Sequence, residues 1–502
     1  LGARVISTGS TEAKRQLAKS LGAEHVLDPG DPNWPAEVRK LIEARAEPKS
    51  AIAVKAEVPA AKDMRPAILV LPFVNMSGDA EQEFFADGVT EDIITDLSRI
   101  AALSVVSRNT AFTYKGKAVA VSLLARELGV SHILEGSVRK SGQRVRITAQ
   151  LLDVKTDAQI WGERYDRTLD DIFAIQDEIS KAIAEALKLR LAPEEKQAIE
   201  QRSTTNSEAY ELYLMVRQFT RSGSERLKPL IIRICKRIVE LDPQFAAAWA
   251  LMSLAESEMS QRGVEGHSNG NARAYAESAV AADPRCADAH AALAEAIIRG
   301  PDMDWDAGKP IVETALALDA ESFEAHMVAG IGCIAIRNYP DAIRYFERAI
   351  ALDPTSYRAC GMVVQAYAGI GDDESRIAAA RRAVARCEAI LASEPDHSGA
   401  LGFFVSSLSD LGEMERARLW ARRALLFDPD NARLHYNLAC GMSEGGDAEL
   451  ACDILNGIID GVSEGWLKWM GQDNSLDPIR QHPRFIAILA RGQARFARAK
   501  LE

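Results

Sequence analysis

"AIRYFERAIALDP", Ala342 to Pro354, spaces Ala342, Phe346 and Ala349 four and three residues apart, so one face of a helix carries a large ring between two small methyls. Such a face packs closely on a second helix. Proline cannot continue a helix, so Pro354 closes it. "RARLWARRALLFDP" repeats the arrangement with Ala417, Ala421, Ala424 and Pro429. Related punctuation falls at Pro243, Pro284, Ala320, Pro354, Pro395 and Pro429, in steps of 41, 36, 34, 41 and 34 residues. A helix pair of this kind cannot bury its apolar face alone, so successive pairs stack into a superhelix with a concave groove.

The period, about 34 residues at its shortest, resembles that of the tetratricopeptide repeat. Trp249, Met252 and Ser253 occupy the tryptophan, leucine and small-residue places of a first helix, and the excesses of 2 or 7 residues read as loop insertions. The resemblance implies a protein or peptide partner in the groove. On the first helices Val363, Val364, Tyr367, Phe404 and Leu408 fall on packed faces, which leaves Arg358, Gln365, Arg433 and Tyr436 to project toward the groove as partner-binding residues. His290, His326 and His435 each hold the place of Trp249 in their own repeats. Stacked helices lie about 8–10 Å apart, whereas zinc holds each ligand at about 2 Å, so these histidines read as packing residues. The tail "GWLKWMGQDNSLDPIRQHPRFIAILA" reads as the segment that covers the last apolar face.

Upstream, "ILVLPFVNMSGDAEQEFFADGVTEDIITDLSRI" (residues 68–100) runs from a strand through a small polar loop into an acidic helix. A phosphate cradle needs the positive end of a helix left open to the anion. Asp79, Glu81 and Glu83 fill that end, and no GxxxxGK(S/T) pattern is present. The loop reads as a brace, with Asp79 as a helix cap. A strand at 103–108, a helix at 120–130, three strand-like runs joined in part by a Ser141-Gly142 hairpin turn, and a helix carrying Ile172, Ile175, Ile179, Ile183 and Leu187 follow. Together with "FTYKGKAV", "ARELGVSHILEGSVRKSGQRVRITAQLLD" and "IWGERYDRTLDDIFAIQDEI", this stretch resembles the TolB-like amino-terminal domain found beside tetratricopeptide repeats in bacterial signalling proteins. That resemblance implies a regulatory role behind an effector, such as an adenylate cyclase catalytic domain or a winged-helix transcription domain.

Residues 1–43 read strand, helix, strand, with Thr11 as N-cap and Gly22 as helix stop. They resemble a fragment of the nucleotide-binding domain of medium-chain dehydrogenases and quinone reductases. The glycine-rich pyrophosphate turn of such a domain is absent, so no nicotinamide cofactor is expected, and an NAD(P)-linked oxidoreductase is the weaker alternative. The expected organisation is multidomain. It has a Rossmann-like remnant at 1–43, a linker at 44–66, a small α/β domain with a mixed sheet at 67–190, an all-α solenoid at 206–465 and a capping segment at 466–502.

The 502 residues are 47% hydrophobic and 26% charged, which suits folded domains. A net charge of -12 argues against nucleic acid as a partner and favours basic ones. Cys235, Cys286, Cys333, Cys360, Cys387, Cys440 and Cys452 form no CxxC pair, and no HExxH or GxSxG pattern occurs. Catalytic, metal and cofactor residues are therefore not assigned. Without a signal or a long apolar run the expected location is cytoplasmic. Leu1 is read as a cut edge, with an effector domain upstream as the alternative.

Overall fold

A computed structural model describes residues 6–8, 25–27, 65–79, 82–117, 121–200, 204–222, 224–261, 264–300, 304–462 and 464–499. The chain divides into two units, residues 1–64 and 65–502. In the first, β1 (Ile6–Thr8) and β2 (His25–Leu27) pair in parallel, with Ile6 opposite His25. The helix expected between them, and most of the linker expected at 44–66, lie outside the described residues.

The second unit opens with a mixed sheet. In chain order come β3 (Ala67–Val70), β4 (Val74–Asn75), helix α1 (Glu83–Ser98), β5 (Ser104–Val105), α2 (Arg108–Phe112), α3 (Val121–Leu128), β6 (His132–Ser141), β7 (Arg144–Asp153), β8 (Ala158–Thr168) and α4 (Ile172–Ala186). β5 and β6 flank β3 in parallel, and β6, β7 and β8 form an antiparallel meander. Alternation explains the faces: Val145, Ile147, Ala149 and Leu151 are fully buried, while Arg146 and Thr148 between them are exposed. Ile172, Ile175, Ile179 and Ile183 of α4 enter the same core. The strand read through Arg108 is shorter than expected. Ser107 Oγ accepts the Thr110 N–H and starts α2 instead.

After α5 (Pro193–Glu200), helix α6 (Ser207–Ser222) begins seven helix pairs that run to Ile458 among the described residues. This is the expected small mixed-sheet region followed by a helical-repeat solenoid of the tetratricopeptide kind. The punctuation has a local cause. Asp242, Asp283, Asp319 and Asp353 each end a helix with extended backbone. Each Oδ1 then accepts the amide N–H two residues on, at 2.9–3.0 Å.

The first seven-residue excess runs across the connection between helices Ala246–Gln261 and Asn269–Ala282. The second is not an inserted loop. Helix Asp373–Ser393 has 21 residues where Tyr339–Leu352 and Met414–Phe427 have 14, so two further turns carry it.

Rings at the shared place clamp the turns between repeats. Trp249 Nε1 donates to the Pro243 carbonyl at 3.0 Å, His290 Nε2 to that of Pro284 at 2.8 Å and His326 Nε2 to that of Ala320 at 3.0 Å. No set of three His, Cys, Asp or Glu among the described residues is placed to hold a metal ion. No described helix is long and apolar enough to cross a membrane.

The sheet and the solenoid share a core. Tyr210 and Leu214 of α6 are buried with the sheet residues. Gly88 of α1 lies so close to α6 that a Cβ there would meet Leu214 Cδ2 at 2.5 Å.

Candidate functional site

The "NMSGD" loop closes on itself. Asn75 Nδ2 donates to the Asp79 carbonyl at 2.8 Å, Asn75 Oδ1 accepts the Ser77 N–H at 2.9 Å, and Gly78 supplies a φ of 78°. The residue at the N-cap of α1 is Gln82, with no side-chain hydrogen bond to the helix, and Asn75 braces the loop on the strand side of Asp79. Lys115 answers the acids of the first turns, 2.8 Å from Glu83 and 2.6 Å from Asp87.

The middle of α1 carries the stronger electrostatics. Glu91, 2% exposed, accepts from Arg108 Nε at 2.6 Å, from Arg217 Nη2 at 2.5 Å and from Arg221. Asp92 beside it accepts from Arg217 Nη1 at 3.0 Å, from Gln176 Nε2 at 3.2 Å and from the Tyr210 hydroxyl. Burial by itself raises the Glu91 pKa, but Arg217, Arg221 and Arg108 outweigh it and hold the carboxyl below its ordinary value. Burial, together with the crowding of like charges, pushes Arg221 down to about 10. Sequence reasoning missed this hub. Its one visible trace is Arg217 and Arg221, a turn apart on a helix that also buries apolar residues.

Two cavities lie along the inner face of the solenoid. The first, about 130 Å³, is lined by Arg299, Met362, Phe403, Arg433, Trp466 and Trp469, among others. That volume suits a single side chain, since a cavity of about 150 Å³ accepts benzene. Gln365, Arg433 and Tyr436 of the expected groove residues all line it. Gln365 and Tyr436 are already engaged there with the chain's own tail. Asp473 Oδ1 accepts from Gln365 Nε2 at 2.6 Å and Oδ2 from Trp469 Nε1 at 3.0 Å, and the Tyr436 hydroxyl donates to the same carboxylate. Tyr436, Ser475 and Trp469 oppose the effect of burial without overcoming it, so the Asp473 pKa stays raised. Arg433 makes no hydrogen bond or ion pair with any described residue.

The tail therefore does more than cover the last repeat. Leu476, Ile479 and Phe485 are buried in the terminal core. Asn474 and Asp477 meanwhile reach Gln365 and Arg337, residues of much earlier helices.

Arg358, the fourth expected residue, lines a separate chamber of about 730 Å³ with Arg108, Arg221, Glu258, Glu324 and Tyr357. There Arg358 Nη1 lies 3.4 Å from Glu258 Oε1, and Lys228 Nζ lies 2.9 Å from Oε2 of the same carboxylate. Lys228 and Arg358, with Arg433 adding at longer range, hold Glu258 down to about 2 against the effect of burial. Further round the superhelix Ser224 Oγ donates to Glu394 at 2.9 Å and Arg226 pairs with Asp396, which ties the start of the array to a later inter-repeat turn.

No family model matches the chain. A Rhizobium meliloti (strain 1021) protein named as an adenylate cyclase is 46% identical over 201 residues, which are 40% of this chain and 34% of that protein. The chain thus spans about a third of that relative's length. Among solved structures, a thermophilic TPR protein of Thermus thermophilus matches at a TM-score of 0.31 and 15% identity, over 40% of this chain and 98% of that one. A tetratricopeptide repeat protein from Parabacteroides merdae ATCC 43184 matches at 0.31 and 13%, over 54% and 99%. TolB from Acinetobacter baumannii matches at 0.20 and 20%, over 25% and 29%.

Proposed function

We propose that this chain is a non-catalytic protein-interaction module of a bacterial signalling protein. The inner face of its solenoid holds a segment of a partner, and the TolB-like α/β domain anchors or relays that event. The observation that carries the reading is the Glu91 hub with its shared core. Three arginines, two of them on the first solenoid helix, converge on one buried carboxylate of the sheet domain. Strain at the inner face is thereby delivered to the sheet domain through packed, paired groups. Arg358 and Arg433 are the partner-facing residues in this reading, and Gln365 and Tyr436 act through the tail that they hold. The test is affinity capture from a bacterial lysate with wild type and with an Arg358→Ala, Arg433→Ala variant of unchanged helical circular dichroism. Proteins lost from the variant support the inner face as the site. Identical captured sets overturn it.

A second reading is favoured by the similarity to the cyclase-named protein: the chain regulates an adenylate cyclase catalytic domain. Cyclic AMP formation by the complete gene product tests it. A rate that shifts when the inner-face arginines are replaced supports this reading, and a product without cyclase activity overturns it.

A further inference from the structure

The chamber of about 730 Å³ lies where α1, α2 and β5 of the sheet domain face helices of the early and middle repeats. Its cations are all engaged. Arg108 and Arg221 donate to Glu91, while Lys228 and Arg358 sit against Glu258. Most of its carboxylates are engaged as well. Glu295 faces Arg299 at 3.3 Å, Glu321 faces Arg348 at 2.7 Å, and Asp319 and Asp353 each accept a backbone amide at 2.9 Å.

Glu324 differs from all of them. It lines the chamber from the first turn of helix Phe323–Ala335, is only partly exposed, and makes no hydrogen bond or ion pair with any described residue. Burial pushes its carboxyl up to about 7, with Glu295, Glu258 and Asp288 adding to the shift and Arg358 opposing it. The helix N-terminus favours its charged form without supplying a counter-charge. Ile231, Leu251, Leu254 and Phe323 add apolar lining to the same chamber.

We propose that this chamber receives the lysine or arginine side chain of a partner segment, with Glu324 as the acceptor and the apolar lining covering the aliphatic stem. A basic side chain is long, apolar along its stem and charged at its tip, which is the shape and chemistry the chamber complements. An acidic side chain would have to displace Glu91 or Glu258 from cations they already hold. The net charge of -12 favours the approach of a basic partner over an acidic one.

This inference rests on the interaction reading above. The probes are matched amphipathic peptides that share their apolar residues and differ only in carrying lysine and arginine, glutamine, or glutamate. The expected result is saturable binding of the basic peptide to the full chain, weakened about tenfold or more by Glu324→Gln and turned toward the acidic peptide by Glu324→Lys. Glu324→Asp, which keeps the charge on a shorter stem, is expected to bind between wild type and Glu324→Gln and serves if either other variant misfolds. Equal binding of the basic and acidic peptides, or an affinity unchanged in Glu324→Gln, overturns the inference. If Arg358→Ala, Arg433→Ala loses captured proteins that Glu324→Gln retains, the interaction reading stands and this subsite falls.

Discussion

Arg217 reaches from the first solenoid helix to Glu91 on the helix that follows β3 and β4, and its Nη2 lies 2.5 Å from Oε2 across 126 residues of chain. Arg108 and Arg221 complete the coordination of that carboxylate. Separating the sheet from the solenoid would leave buried charge of both signs without partners. Such exposure of unpaired charge is costly, so the two halves are expected to unfold together.

Replacing Glu91 with Gln is expected to destabilise the protein by about 3–5 kcal/mol, because three guanidiniums then face an amide with at most one acceptor oxygen. Urea unfolding followed by circular dichroism measures this. A loss below about 1 kcal/mol, the range of an exposed ion pair, would show that the hub is solvated and not a brace.

Gly88→Ala places a methyl against Leu214 and is expected to cost about 1–3 kcal/mol through overpacking. Leu214→Ala alone opens a cavity and also destabilises. The double variant should recover part of the loss, giving a favourable coupling energy in a double-mutant cycle. Simple additivity would mean that the two residues do not pack as described.

Asp473→Ala removes the shared acceptor of Gln365, Tyr436 and Trp469. Hydrogen exchange of residues 474–479 should speed up by at least about tenfold, since buried donors left unpaired cost about 1–3 kcal/mol each. Exchange in the sheet domain should stay as in wild type. Unchanged protection of the tail would assign its anchoring to Leu476 and Ile479 instead.

Stability should pass through a maximum in mildly acidic solution. Glu324 and Asp410, raised by burial to about 7 and about 6, contribute stability that is present below the ordinary carboxylate pKa and lost as pH rises through those values. Arg358 opposes the shift at Glu324, Arg376 opposes it at Asp410, and Asp410 in turn faces Glu444. Glu91 and Glu258 are lowered, so their contribution is present above the ordinary pKa and lost as pH falls through their folded values. Melting temperature measured across this range should fall on both sides. Glu324→Gln with Asp410→Asn should reduce the slope on the alkaline side only, Glu444 and Asp473, also raised, supplying the rest, and a slope there unchanged by the pair would count against the assignment.

Much of the architecture was legible because its causes are local. The turn carboxylates Asp242, Asp283, Asp319 and Asp353 act over two residues, the clamping rings over six, and the alternation of β7 over neighbouring positions. Helical spacing also assigned Val363, Val364, Phe404 and Leu408 to packed faces, where they are buried. It set Tyr436 toward the inner face, but could not show that the tail returns there and leaves that ring only 5% exposed.

The sequence by itself therefore determined the helix pairs, the strand order along the chain and the punctuation between repeats, because each depends on side chains within a turn or two of one another. Only the tertiary structure decided which charges are buried together. Glu91 meets Arg217 and Arg221, Gln365 meets Asp473, and Arg358 meets Glu258, each across about a hundred residues or more. A carboxylate in a helix has the same local pattern whether it faces water or three guanidiniums. The partners of Glu91 are set by how the first solenoid helix docks on the sheet domain, and those of Arg358 and Gln365 by how the superhelix curves, the sum of many small packing angles between repeats that no short stretch of the chain contains.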